Sequence, residues 1–296
     1  MPAHISRRQF LKSGLAAGLT LPLPITEHLF SKSNNSAKSK VVLIRRKDLF
    51  SKKGRPNPHV VQEMLDKALL ELTGKPKIDE AWAAIVNKED IVGIKSNVWR
   101  PLHTPVEVEQ AIKKRLLEAG IEEKNLSIDD RGVLNNPVFK KATALINTRP
   151  MRTHAWSGVG SLNKNYIMFV PNPSHYHPDS CADLATIWKL PIVKDKTRLN
   201  ILVMFTPLFH GIGPHHFNPK FTWRYNGLIV GFDPVAVDAV GVRIIQNKRR
   251  LYFGENRPIN PPPKHIFLAE TRHHLGYADP QKIDLVTLGW QEEILL

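Results

Sequence analysis

Arg152, His154, Lys164 and Asn165 fall in one stretch, R-P-M-R-T-H-A-W-S-G-V-G-S-L-N-K-N, running from Arg149 to Asn165. They are set around Gly158, Val159 and Gly160. Guanidinium, ammonium and amide donors on a glycine-containing loop suit an anionic ligand. A histidine among them can move a proton, and a lysine can form a Schiff base or donate to an oxyanion. Two further segments carry matching groups. Lys95 and Asn97 close the run V-G-I-K-S-N, and Asp238 sits in the apolar run V-A-V-D-A-V-G-V. A carboxylate in so apolar a helix needs a partner. Asp238 therefore reads either as a structural bridge or cap, or as a site acid that anchors Lys95 or Lys164. The expected site has His154 as acid or base, with Lys164 and Arg152 holding the anion and Asp238 orienting a lysine. Lys95, Asn97 and Asn165 complete it, and Gly158 and Gly160 leave room for the ligand.

Six histidines lie between His154 and His216: His154, His175, His177, His210, His215 and His216. Histidine–proline loops can bind a divalent metal. A divalent metal is thus the one candidate cofactor, of open identity, although the spacings match no standard zinc pattern. The one cysteine, Cys181, excludes an internal disulfide and a self-contained iron–sulfur cluster, which needs several thiolates. It reads as a buried apolar residue. The chain contains no G-x-x-x-x-G-K-[ST], G-x-G-x-x-G or G-x-S-x-G, which disfavours a standard nucleotide triphosphatase, dinucleotide dehydrogenase or serine hydrolase.

The elements that must hold these groups alternate. Strands are expected at Val41–Ile44, Ile91–Ile94, Leu126–Asp130, Ala142–Ile146, Leu199–Phe205, Leu228–Phe232 and Ile283–Leu288. Helical periodicity marks His59–Leu72. Thr104-Pro105-Val106-Glu107 reads as a capping box opening a helix to about Ala119. Asp233-Pro234 opens another, to about Gln246. Further helices are expected at Asp179–Leu190 and Lys264–Leu275, the latter stopped by Gly276. The pattern predicts an α/β fold, a mostly parallel sheet with helices on both faces, in one or two lobes. In such a sheet ligands sit at the carboxyl edge, where Lys95, Asn97, Asp129, Asp130, Arg152 and His154 would meet.

The net charge is +15 over 296 residues, and residues beyond position 40 carry +10 of it (36 basic, 26 acidic). A basic body attracts anions of any kind. No basic run interleaved with aromatics is present, so nucleic acid is disfavoured as a partner and an anionic small molecule is preferred. Ser6-Arg7-Arg8-Gln9-Phe10-Leu11-Lys12 fits the twin-arginine export consensus, followed by a weakly apolar run from Gly14 to Ile25 too short to span a bilayer. Residues 1–40 are therefore read as an export leader and polar linker, and residues 41–296 as one α/β domain. The reading implies the twin-arginine translocase as a partner and the periplasm or cell exterior as the destination. A membrane would be met only through an uncleaved leader, and Ser36-Ala37 is the weak cleavage candidate.

Five motifs in order carry a resemblance. They are Val92–Asn97, Thr153–Asn165 (T-H, G-x-G, K-N), Gly211–Pro214 (G-I-G-P), Asp233–Asp238 (D-P-V-A-V-D) and the closing segment His274–Val286. Over about residues 85–290 the chain resembles the domain-of-unknown-function family 362. The resemblance implies an α/β fold, with some members exported and some bearing a ferredoxin-like cluster for which this chain lacks cysteines. Ser96 stands where proline is usual and Arg152 where lysine is usual, which keeps the charge but not the ability to deprotonate. The alternative to an enzyme is a non-catalytic periplasmic carrier or assembly factor.

Overall fold

The computed structural model describes residues 38–213 and 216–296. The twin-arginine segment, the apolar run, Ser36-Ala37, Pro214 and His215 lie outside the described residues.

The strands are β1 (Ser39–Arg45), β2 (Val92–Lys95), β3 (Leu126–Asp129), β4 (Ala144–His154), β5 (Gly158–Gly160), β6 (Thr197–Leu208), β7 (Gly227–Gly231) and β8 (Ile283–Gly289). The helices are α1 (Pro58–Thr73), α2 (Ile78–Ala83), α3 (Val106–Glu118), α4 (Pro137–Lys141), α5 (Leu162–Asn165), α6 (Pro178–Cys181), α7 (Pro234–Phe253) and α8 (Lys264–Thr271). One sheet joins the strands in the order β3-β2-β4-β6-β7-β1-β8, with β5 paired to β4. β3, β2, β4 and β6 run parallel, as do β1 and β8, while β7 is antiparallel to both its neighbours. The fold is thus a mostly parallel mixed sheet with helices, and residues 38–296 form one compact unit.

The period of two decides which side each residue serves. Val42, Ile44, Ile94, Ile146, Ile201 and Val203 pack under α1, α2 and α3. Val41, Leu43, Met151, Leu202, Met204 and Ile229 pack under α7 and α8 on the opposite face. Helix ends follow local chemistry. Asn57 accepts from the His59 N–H to start α1, and Gly74, at φ 66°, stops it. Asp233 accepts from Val235 N and Ala236 N to start α7, which runs two turns past Gln246 to Gly254 at φ 71°.

This topology fixes where a site can form. The connection leaving β2 passes through α3 to β3 on one side, whereas β4 connects onward to β6 on the other. The crevice between adjacent β2 and β4 is therefore a topological switch point at the carboxyl edge of the sheet.

Several local expectations are corrected. Thr104 does not cap α3; its hydroxyl accepts instead from the Asn97 N–H, and Pro105 occupies the cap without a side-chain bond. The stretch after Ile146 is no loop but the continuation of β4 to His154, folding back through Ala155–Ser157 into β5. The helix expected at Asp179–Leu190 is reduced to the single turn of α6, broken by left-handed Asp179, Ser180 and Cys181, and a 3-10 segment at Leu184–Lys189. α8 ends at Thr271. Gly276 does not cap it, but lies where a Cβ would come 2.1 Å from the Asp233 carboxylate.

Candidate functional site

β2 ends at Lys95, in register with Asp129 of β3 and Asn147 of β4. The Lys95 side chain is fully buried. Its ammonium forms a short ion pair with Asp130 and donates to Ser96 O at 2.8 Å and Asn165 Oδ1 at 3.3 Å. Burial pulls Lys95 down to about 8, against the pull of Asp130. Burial pushes Asp130 up, but the Lys95 charge and hydrogen bonds outweigh it and leave the carboxyl below its usual range. Asp130 also accepts from the Val98 N–H at 2.9 Å, tying the loop after β2 to the end of β3.

Asn165 joins the strands. Its amide donates to Asn147 Oδ1 (2.9 Å), Thr148 O (3.2 Å) and Lys95 O (3.2 Å). Asn97 donates to Asn165 Oδ1 at 3.4 Å and accepts both Arg152 guanidinium nitrogens at 3.1 Å. Arg152 also donates to Leu102 O at 2.6 Å. Three residues earlier on the long β4, Arg149 reaches Ser161 O at 3.1 Å. Burial lowers Arg149 to about 10 and, with repulsion from Arg149, carries Arg152 well below the ordinary arginine value. Both remain cations at neutral pH.

α5 brings in Lys164, which is buried (4% exposed) and not snorkelling. Burial lowers it to about 8, partly offset by its contact with Cys181. It makes no ion pair with a carboxylate among the described residues. Asp238 does not touch a lysine. Its carboxylate accepts from Leu162 N (2.8 Å), Asn163 N (2.9 Å) and the Asn163 amide (2.9 Å). It thus closes the N-terminus of α5 from the body of α7, and positions the helix that carries Lys164 and Asn165. Burial raises Asp238 to about 6 against these donors.

His154 ends β4. Its Nδ1 accepts from the Trp156 N–H at 3.2 Å, so Nε2 carries the proton. Burial first, then the neighbouring Lys164, Arg149 and Arg152, pushes it down to about 2. His154 is accordingly a neutral imidazole that donates from Nε2. His177 stacks on Trp156 with centroids 4.2 Å apart and is pushed down to about 4.

The glycines allow close packing, Gly160 against Arg149 and Gly158 against the backbone at Pro261. A Cβ on Gly160 would lie 2.6 Å from the Arg149 guanidinium, and one on Gly158 would lie 2.3 Å from Pro261 O. Gly158 also sits at φ 71°, a conformation that favours glycine.

The structure therefore brings Lys95, Asn97, Arg152 and Asn165 together, with Asp238 behind them; Lys164 lies instead beside Cys181, on the side of His154, which ends the same strand as Arg152. Asp233 is elsewhere, holding α7 and the Tyr277 N–H. Sequence reading passed over Arg149 and Asn147 as site members, and placed Asp130 at the carboxyl edge without assigning it the partner it has in Lys95. Continuing the period of two past Ile146 would have placed Asn147 and Arg149 on one face. Of the histidines, His210 is held by Arg249 at 3.1 Å. Among the described residues no group of three His, Cys, Asp or Glu side chains is placed to hold a metal ion. No helix among them is long and apolar enough to cross a membrane.

Four buried cations (Lys95, Arg149, Arg152 and Lys164) thus meet two buried carboxylates, Asp130 and Asp238. Around them Thr148 Oγ1, Arg149 Nε, Arg152 Nε and Thr153 Oγ1 are buried without a hydrogen-bond partner. Fold and site define a class: an α/β protein with a cation-rich centre at the carboxyl edge of its sheet. Within that class, residues 103–243 match the model of the family described as "Domain of unknown function (DUF362)". The matched stretch contains Arg149 to Asn165 and Asp238, while Lys95 and Asn97 precede it. No curated protein and no solved structure matches the chain.

Proposed function

We propose that this chain binds an anionic small molecule at the β2–β4 crevice and acts on it by proton transfer through Lys164. The observation that carries this reading is the surplus of buried cations over carboxylates. An uncompensated buried charge is expensive and leaves its donors unsatisfied. An anion seated against Arg149, Arg152 and Lys164 would satisfy both demands. Lys164, drawn down to about 8, is poised near neutral pH to give or take a proton. Neutral His154 would donate a hydrogen bond from Nε2 to developing negative charge. Asp238 would act through α5, holding Lys164 in place. A divalent metal would have to be held largely by the ligand itself, because the described side chains gather no set of three donors.

Calorimetry on the full chain with inorganic phosphate and with succinate as probes tests the binding. Saturable binding of either, lost in Arg152→Met and Lys164→Met, is expected. No heat with either anion, or equal affinity in both variants, would sink the reading. A non-catalytic carrier would bind equally well but catalyse no proton exchange. Solvent deuterium incorporation into bound succinate separates the two.

Export is proposed from residues 1–40 alone. A fusion of this segment to a reporter active only outside the cytoplasm should require Arg7 and Arg8. Reporter activity unchanged by Arg7→Lys with Arg8→Lys would remove the twin-arginine translocase as a partner.

A further inference from the structure

A cleft lies on the α1–α3 face of the sheet, against the carboxyl halves of β4 and β6. It measures about 550 Å³, within the size range of small-molecule sites. Its floor is apolar and partly aromatic, formed by Pro150, Val203, Phe50 and Phe205. The two phenylalanines meet edge to face, with centroids 6.3 Å apart. Val203 and Phe205 are otherwise core residues, so the cleft exposes the end of the main core to its occupant.

The rim has the opposite character. Arg55, Arg100 and His103 line it, against one carboxylate, Glu107. Arg55 and Arg100 are exposed and form no ion pair among the described residues. A third guanidinium, Arg224, stacks on the Phe50 ring at 4.9 Å from its centroid. The second nearby acid, Glu109, is turned away in its bond to Ser96. Thr206 adds a hydroxyl on the sheet side. The rear wall is fixed, because the Leu102 carbonyl is held by Arg152 at 2.6 Å.

We propose that this cleft binds an aromatic carboxylate, with the ring on Phe50, Phe205 and Val203 and the carboxylate between Arg55 and Arg100. An apolar floor under free guanidinium groups selects a flat body with one planar anionic end, since the guanidinium fork matches a carboxylate with two parallel hydrogen bonds. The lining includes none of the buried cations between β2 and β4, and meets them only through the Leu102 carbonyl held by Arg152.

Isothermal titration of the full chain with 2-naphthoate, and with neutral 2-naphthamide as its isostere, tests the proposal. Saturable one-to-one binding of naphthoate is expected, weakened about tenfold for the amide and about tenfold in the Arg55→Ser/Arg100→Ser variant. Both arginines are exposed, so the variant should fold and should keep the wild-type response to phosphate. Lys164→Met should bind naphthoate as the wild type does. Equal affinity for acid and amide, an unaffected arginine variant, or no saturable binding would each overturn the proposal. Loss of naphthoate binding in Lys164→Met alone would also overturn it, by placing the carboxylate at the buried cations.

Discussion

Lys164 is the residue whose removal separates stability from function. Its descent from 10.5 to about 8 corresponds to a burial penalty of about 3 kcal/mol for the charged form. Methionine keeps the volume and drops the charge. Lys164→Met is therefore expected to raise the unfolding free energy of the free protein by about 1–3 kcal/mol, in the range seen when buried charges give way to apolar side chains. The same variant should lose its response to phosphate or succinate. Urea unfolding with and without the anion reads both effects, and a destabilised variant that still binds would contradict the assignment. A bound anion also raises the pKa of a nearby lysine. Near pH 8, where Lys164 and Lys95 are each about half protonated, binding should take up protons, on the order of half a proton per lysine affected. Titrations in buffers of different ionisation enthalpy measure this uptake. Zero uptake at pH 8 would place the anion away from both lysines.

At the level of elements, α5 is four residues long and has no side-chain cap of its own. Asp238 supplies that cap from another helix. Asp238→Asn should cost about 1–3 kcal/mol, because one amide face would meet the donors Asn163 N and Nδ2 and leave buried groups unsatisfied. Anion affinity should fall in parallel, since Lys164 and Asn165 ride on this helix; wild-type affinity in a well-folded Asp238→Asn would detach α5 from the site. The sequence made the strands and the two long helices readable through period-two and period-3.6 patterns, with Asp233-Pro234 marking the start of α7. It also placed Lys95, Asn97 and Arg152 in one neighbourhood, since polar residues at strand ends converge in a parallel sheet, and Asn165 joins them from α5. The long β4 was hidden because Arg149-Pro150 and Arg152 look like loop chemistry. Those charges are tolerated in a buried strand only because Gly160, Ser161 and Asn97, distant in sequence, leave space or accept hydrogen bonds. The Thr104 cap was misread for a similar reason: its hydroxyl has a competing donor in Asn97 N, seven residues back.

Over the whole molecule, the buried groups shape stability against pH in a way surface charges cannot. Asp233 and Asp238 are both raised from 3.8 to about 6 by burial. Between these values the folded state holds protons that the unfolded state has released, so these two groups by themselves lower stability as pH rises from about 4 to 6, while His154, His177 and His265, pushed down to about 2, 4 and 3 by burial, raise it up to about pH 6.5. Lys95 and Lys164 act later and with a sign opposite to the aspartates. Between about 8 and 10.5 the folded state has released protons that the unfolded chain still binds, so stability rises through this window. Tyr166 and Tyr225 are raised by burial, so ionisation of the unfolded chain erodes stability above about pH 10. The free protein should therefore be more stable near pH 10 than at neutrality, by up to about 3 kcal/mol for each lysine relieved. A saturating anion would supply at neutral pH what deprotonation supplies at pH 10, and should flatten the rise. Urea denaturation at pH 7, 8.5 and 10, with and without succinate, checks both statements. Stability that falls steadily from pH 7 to 10 would show that the buried lysines are already compensated, and the case for an anion at the β2–β4 crevice would fall with it.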